Sequence, residues 1–166
     1  MQTTHTTFSS LPLSDAMLEN LDKIGYTSMT PIQAETLPHI LAGKDVIAQA
    51  KTGSGKTAAF GIGVLSALDV KKFRVQSLIL CPTRELADQV AKELRTIAKF
   101  AHNIKILTLC GGVAFGPQYG SLQHGAHIIV GTPGRVLKHL KKDSLNLENI
   151  QTLVLDEADR MLDMGF

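Results

Sequence analysis

The stretch Ala50-Lys51-Thr52-Gly53-Ser54-Gly55-Lys56-Thr57 restricts the fold of this chain more than any other segment. It follows the apolar run Val46-Ile47-Ala48 and opens a helical pattern at Ala58. That is the strand, glycine loop and helix order in which backbone amides can surround a phosphate. Gly53 and Gly55 let the loop turn with no side chain in the way, so residues 52–55 can face an anion with their main chain. Lys56 has the reach for the outer phosphates of a nucleotide, and Thr57 presents a hydroxyl suited to a magnesium ion. The first position of the general pattern is Ala50 rather than glycine. The plain alternative is a Gly/Ser-rich turn joining an ordinary strand to an ordinary helix.

A second feature narrows the choice. The apolar run Thr152-Leu153-Val154-Leu155 ends in Asp156-Glu157, and ligands of open α/β sheets bind outside the carboxyl ends of the strands. The phosphate loop and the acidic pair are therefore expected to converge, Asp156 holding magnesium through water and Glu157 positioning or deprotonating an attacking water. Viewed alone, the pair could instead be a solvated helix start that complements a macrodipole. Because the acidic pair sits on the fifth expected strand, the pattern favours an ATPase with a recombinase-like sheet over a small kinase or GTPase. A dinucleotide fold would carry a G-x-G-x-x-G fingerprint.

The rest of the chain supplies a single compact α/β core. Leu13, Met17, Leu18, Leu21 and Ile24 form a helical stripe after the cap Ser14, closed by Gly25. Thr30-Pro31 with Gln33 announces a second helix through a capping box. Strands are expected at 46–49, 75–80, 104–109, 127–130 and 152–155, with a long amphipathic helix over 84–101. Near-continuous apolar strands separated by helices predict a mostly parallel sheet covered on both faces. With 44% hydrophobic and 19% charged residues in 166, disorder is excluded, and a net charge of +2 announces no polyanion partner by itself. Cys81 and Cys110 each end an apolar run, as buried thiols in a reducing compartment would, and no metal-binding spacing is present. The polar, Thr-rich residues 1–10 resemble neither a signal peptide nor an anchor, and no apolar stretch spans a bilayer. A soluble, cytoplasmic protein without a membrane partner is expected.

Three further turns leave strands on the same expected edge: Pro82-Thr83-Arg84, Gly111-Gly112 and Thr132-Pro133-Gly134-Arg135. Thr83 can cap a helix, Arg84 and Arg135 carry charge, and the glycines admit a sugar-phosphate chain close to the backbone. None of the turns carries an aromatic for base stacking, so recognition of backbone rather than sequence is expected. The plain alternative is a cap at Thr83 and an ion pair at Arg84.

Taken together, these motifs resemble those of the DEAD-box RNA helicases. Asp156-Glu157-Ala158-Asp159 spells the family name, and residues 25–33, 50–57, 82–87, 111–112 and 132–135 match its other motifs in order. More narrowly, residues 81–90, 105–112 and 156–166 are similar to the bacterial DbpA-type helicases of large-subunit ribosomal RNA. The resemblance implies a RecA-like P-loop NTPase domain, possibly cut short at its C-terminal end, with an adenine-recognition segment over 1–43 and an ATP-binding core over 44–166. It implies ATP and Mg²⁺ as cofactors and RNA-stimulated ATP hydrolysis coupled to local unwinding of duplex RNA. Gln33 would contact the adenine edge and Phe8 stack on the ring, whereas from the residues alone a helix cap and a hydrophobic anchor are preferred. Lys56, Asp156 and Glu157 would be catalytic, Thr57 and Asp156 would hold the metal, and Asp159 would couple nucleotide state to RNA. Pro82, Thr83, Arg84, Gly112, Thr132 and Arg135 would contact the RNA backbone.

Two positions depart from the family: Tyr26 where Phe is usual and Met29 where Pro is commoner. The larger departure lies at Phe166, where the sequence ends short of the Ser-Ala-Thr motif and second recombinase-like domain that the family pattern leads one to expect. Arginines of that domain would complete the phosphoryl-transfer site, so the segment alone is expected to bind ATP weakly and turn it over poorly. An ATP-gated RNA clamp or assembly scaffold and a non-RNA P-loop ATPase remain the alternative readings.

Overall fold

The computed structural model describes residues 7–166. The expectations for residues 1–10 and for the 1–43 segment therefore fall in part outside the described residues. The chain forms two compact units, residues 7–67 with 93–102, and residues 68–92 with 103–166.

In the first unit, a short 3₁₀ turn at Phe8–Ser10 precedes helix α1, Asp15–Lys23. Ser14 caps α1 by accepting from the Met17 N–H at 3.1 Å, and Gly25, at φ 88°, closes the helix in the left-handed region. Helix α2, Pro31–Leu41, begins at the expected Thr30 and packs against α3, Lys56–Ser66. Gly61 makes this core possible at one point, since a Cβ there would lie 2.9 Å from Leu94 Cδ2. Buried Asn20 donates to Thr96 O at 3.2 Å and to Ile97 O at 2.8 Å, satisfying carbonyls at the end of the long helix.

One expectation fails in this unit. Residues 46–49 form no strand, and Ile47 is fully exposed. Apolarity makes such a run suited to a sheet, but a strand exists only where a neighbour accepts its ladder of hydrogen bonds, and residues 46–49 are paired with none.

The second unit holds the sheet. Strands β1 (Ser77–Leu80), β2 (Ile106–Leu109), β3 (Ile128–Gly131) and β4 (Thr152–Leu155) are all parallel, in the order β2-β3-β1-β4. Their crossovers carry α4 (Arg84–Ile97), α5 (Phe115–Gln123) and α6 (Pro133–Lys141), and α7 (Ala158–Asp163) follows β4. The long helix ends four residues before its expected limit and continues as a 3₁₀ turn, Ala98–Phe100. Leu78, Leu109, Ala126, Ile129, Val136 and Leu145 form the core on one face. Leu153 and Leu155 share that face by register with Leu78 and Leu80, yet are 58% and 52% exposed because β4 is a sheet edge. Among the described residues no helix is long and apolar enough to cross a membrane.

Candidate nucleotide and RNA-backbone sites

The phosphate loop of the first unit is shaped by its glycines. Gly53 and Gly55 sit at φ 82° and 88°, conformations that a side chain disfavours. Gly55 is the N-cap of α3, so the helix starts at Lys56 with no acidic residue in its first turn. Its first amides therefore meet no carboxylate from the helix's own first turn, which suits an anion. A Cβ on Gly55 would also lie 2.6 Å from Gln33 Nε2 and 2.9 Å from Thr30 Oγ1. The loop and the start of α2 thus approach each other only because this residue is glycine.

Gln33 closes that approach. Its Oε1 accepts from the Thr30 N–H at 2.9 Å, and its Nε2 donates to Gly55 O at 3.0 Å. The amide half of the expected capping box therefore forms, while Thr30 Oγ1 and Ser54 Oγ are buried with no hydrogen-bond partner. Beside them opens a cavity of about 490 Å³ lined by Thr30, Pro31, Ile32, Glu35, Gln49, Ala50, Gly53 and Ser54. A cavity of this size accommodates a small ligand, and two buried hydroxyls await partners next to it. Thr52 is exposed, and Lys56 and Thr57 are half-buried at the start of α3. Phe8 is 4% exposed, the setting of a hydrophobic anchor. Tyr26 donates its hydroxyl to Glu93 Oε1 at 2.9 Å. Burial, reinforced by this bond and the carboxylate's charge, pushes the phenol up to about 12.

In the second unit the parallel register brings four strand ends level. The Cys81 N–H donates to Gly131 O at 2.9 Å, Thr132 N–H to Leu109 O at 3.1 Å, and Asp156 N–H to Leu80 O at 2.9 Å. The three turns and the acidic pair consequently leave one sheet edge together. Thr83 caps α4, its Oγ1 accepting from the Leu86 N–H at 3.3 Å, and Pro82 is buried. Exposed Arg84 pairs loosely with Asp88 at 3.9 Å, a surface contact worth at most about 1 kcal/mol. The plain alternatives for Thr83 and Arg84 are thus realised, and neither removes Arg84 from solvent. Its Nη1 lies 3.5 Å from where a Cβ on Gly112 would stand, with Gly112 at φ 80°. Arg84 and the glycine turn after β2 are therefore neighbours, although residues 84 and 112 belong to different crossovers. Thr132 is half-buried at the start of α6.

Asp156 is 4% exposed at the end of β4. Glu157 follows at φ 53° and ψ 51°, a left-handed conformation that is costly for a glutamate. Its Oε2 lies 3.4 Å from Arg160 Nη1. Asp159 is exposed in the first turn of α7.

The sequence reading missed the group behind Arg135. Arg135 Nη1 donates to Val113 O at 3.0 Å and to Gln118 Oε1 at 2.9 Å. Gln118 Oε1 also meets Nε2 of fully buried His139 at 2.9 Å, and Gln118 Nε2 donates to Cys110 O at 3.0 Å. Phe115 stacks on His139 with centroids 4.1 Å apart. Desolvation, aided by Arg135 and Lys138, lowers the His139 pKa. Burial pushes the Cys110 thiol up, with the charge of Asp88 adding to it. No short motif marks residues 115, 118 and 139, because they meet only through the packing of α5 on α6.

Comparison with known proteins decides the family. Residues 30–166 match the DEAD/DEAH box helicase family. The chain belongs to that family. As a DEAD/DEAH box helicase domain it is 64% identical over 162 residues to the ATP-dependent RNA helicase DbpA of Escherichia coli K12, covering 97% of this chain and 35% of that protein. It is 52% identical to the DEAD-box ATP-dependent RNA helicase CshA of Bacillus cereus, covering 97% of this chain and 30% of that one. The helicase domain therefore spans about a third of the length of these curated relatives. A crystal structure of a DEAD box protein from the hyperthermophile Methanococcus jannaschii superimposes with a TM-score of 0.91 at 42% identity, over 96% of this chain and 44% of that one. The four-stranded parallel sheet with its helices is thus the RecA-like architecture of DEAD-box proteins.

Proposed function

We propose that this chain is the nucleotide-binding portion of an ATP-dependent RNA helicase, in which ATP binding and hydrolysis are coupled to the opening of short RNA duplexes. The observation that carries the reading is the levelling of four strand ends by parallel register, which puts Arg84, Gly112, Thr132 and Arg135 on the same sheet edge as Asp156 and Glu157. An RNA backbone at the turns and a nucleotide at the acidic pair can then sense one another through a few residues.

In this reading the α3 amides, Lys56 and residues 52–55 hold the phosphates. The adenine occupies the cavity lined by Thr30, Pro31 and Ile32; the family resemblance assigns its recognition to Gln33 and Phe8, and Phe8, buried as an anchor, would have to be uncovered to stack on the ring. Glu157 withdraws the proton of the attacking water, from a left-handed position between the end of β4 and the start of α7. Thr57 in the first unit and Asp156 in the second each offer a hard oxygen donor, the kind that Mg²⁺ takes with nucleotide phosphates. When bound, that ion supplies charge neutralisation at the transferred phosphoryl group. Asp159 links the nucleotide side to the RNA face. A second recombinase-like domain supplies the arginines that this segment lacks, and the similarity to DbpA makes ribosomal RNA the first target to test.

The test is made in the full-length protein. Glu157→Gln should retain ATP binding and abolish RNA-stimulated phosphate release, and normal turnover by that variant would remove Glu157 from the base role. ATP turnover indifferent to RNA would favour a P-loop ATPase of another kind. RNA binding without strand separation would favour a clamp.

A further inference from the structure

We propose that Gln118 is a positioning residue for RNA, orienting the Arg135 guanidinium toward the phosphodiester backbone while buried His139 and the stacked Phe115 hold Gln118 itself. The inference rests on the RNA-backbone reading of Arg135 and adds to it the part that makes Arg135 a directed group rather than a loose cation.

The hydrogen-bond chemistry leaves one arrangement. Gln118 Nε2 must be the donor to Cys110 O, so Oε1 is the acceptor facing both Arg135 Nη1 and His139 Nε2. His139 therefore carries its proton on Nε2, and Nδ1 lies 2.7 Å from Ser144 Oγ. His139 is wholly buried, and Phe115 lies almost parallel to its ring at 16°. The amide thus has little freedom to rotate. It joins the end of β2 at Cys110 to α6 at Arg135, the two elements whose turns flank the path proposed for the RNA backbone.

Arg135 in turn has one nitrogen committed. Nη1 serves Val113 O and Gln118 Oε1, and no bond to Nε or Nη2 occurs among the described residues. The Arg135 charge also lies 6.0 Å from the Phe115 centroid, with Lys138 Nζ 5.0 Å from the same ring. Two cations one helical turn apart repel each other, and neither has a carboxylate partner among the described residues. An anion between them and solvent relieves that repulsion, and a planar guanidinium fixed on one edge presents its other edge to phosphate in a set direction.

The experiment is a double-mutant cycle on the full-length protein. It reads the affinity for a fluorescein-labelled single-stranded oligouridylate, with binding of a fluorescent ATP analogue and thermal melting as controls. Arg135→Ala and Gln118→Met should each weaken RNA binding, by about five- to tenfold for the removal of one oriented charge-assisted hydrogen bond. Neither should change ATP-analogue affinity, and the double variant should bind RNA no more weakly than Arg135→Ala alone. Wild-type affinity in Gln118→Met, or an additive loss in the double variant, overturns the positioning role. An Arg135→Ala variant that binds RNA normally overturns the RNA assignment of Arg135 and the inference with it. Should Gln118→Met melt early, Gln118→Glu takes its place. It keeps both acceptor bonds, gives up the donation to Cys110 O and holds Arg135 inward as an ion pair, so the same non-additive loss is expected.

Discussion

The proposed phosphate loop and the sheet-edge track proposed for RNA would meet the same kind of charge by opposite means. In the loop, eight consecutive residues suffice, because glycines at φ 82° and 88° shape the turn and the start of α3 carries no side-chain cap. At the sheet edge nothing local suffices. Arg84, Gly112 and Arg135 come from three crossovers and meet because Leu80 and Leu109 are both in register with Gly131. The loop is thus sensitive to backbone conformation, and the track to side-chain support.

The most damaging test of that contrast is Gly55→Ala. The new methyl would meet Gln33 Nε2 at 2.6 Å in a left-handed backbone, so a loss of about 2 to 4 kcal/mol in stability and at least tenfold in ATP affinity is expected. Calorimetric melting and titration of a fluorescent ATP analogue measure both. If Gly55→Ala binds ATP normally, loop geometry is not what holds the phosphates.

Lys56→Ala comes next. It removes a charged donor without altering the glycines, so ATP affinity should fall about ten- to hundredfold. Melting of the ligand-free protein should move by less than about 1 kcal/mol equivalent. A large fall in stability would mean that Lys56 supports the fold.

On the track, the joint change Arg84→Ala with Arg135→Ala should weaken RNA binding and lower the dependence on log salt by about 0.7 for each phosphate that is no longer neutralised. ATP-analogue binding should be unaffected. An unchanged salt slope would place the phosphodiester backbone elsewhere.

The smallest effect belongs to Tyr26→Phe, at about 1 kcal/mol for one hydrogen bond. Its pH dependence is the sharper readout. The folded phenol is raised to about 12 from an ordinary 10, so its contribution is whole below pH 10 and disappears as pH rises through 12. Absorbance titration should show this late ionisation in the parent and not in Tyr26→Phe, whose stability should fall less over that window. The buried imidazole of His139 has the opposite sign. Its lowered pKa contributes stability above the ordinary histidine range, which is lost as pH falls through the folded value.

Much of this was legible from residue order. Ser14 and Thr30 mark where α1 and α2 begin because caps and prolines act within one turn. The strands at Ser77–Leu80, Ile106–Leu109, Ile128–Gly131 and Thr152–Leu155 fall within or one residue beyond their expected runs, since buried parallel strands need continuous apolar residues. The glycine loop and the acidic pair could be named for the same local reason. The failure at 46–49 shows the limit, as a run identical in character to the others finds no ladder.

By itself, then, the sequence determined most of the elements, the glycine turns and the family, because helix caps, left-handed glycines and apolar periodicity depend on neighbours a few positions away. Tertiary structure alone decided the strand order β2-β3-β1-β4, the bond from Gln33 to Gly55, and the support of Arg135 by Gln118, His139 and Phe115. Those interactions join residues distant in the chain, and their hydrogen bonds form only once register and helix packing bring the partners within about 3 Å.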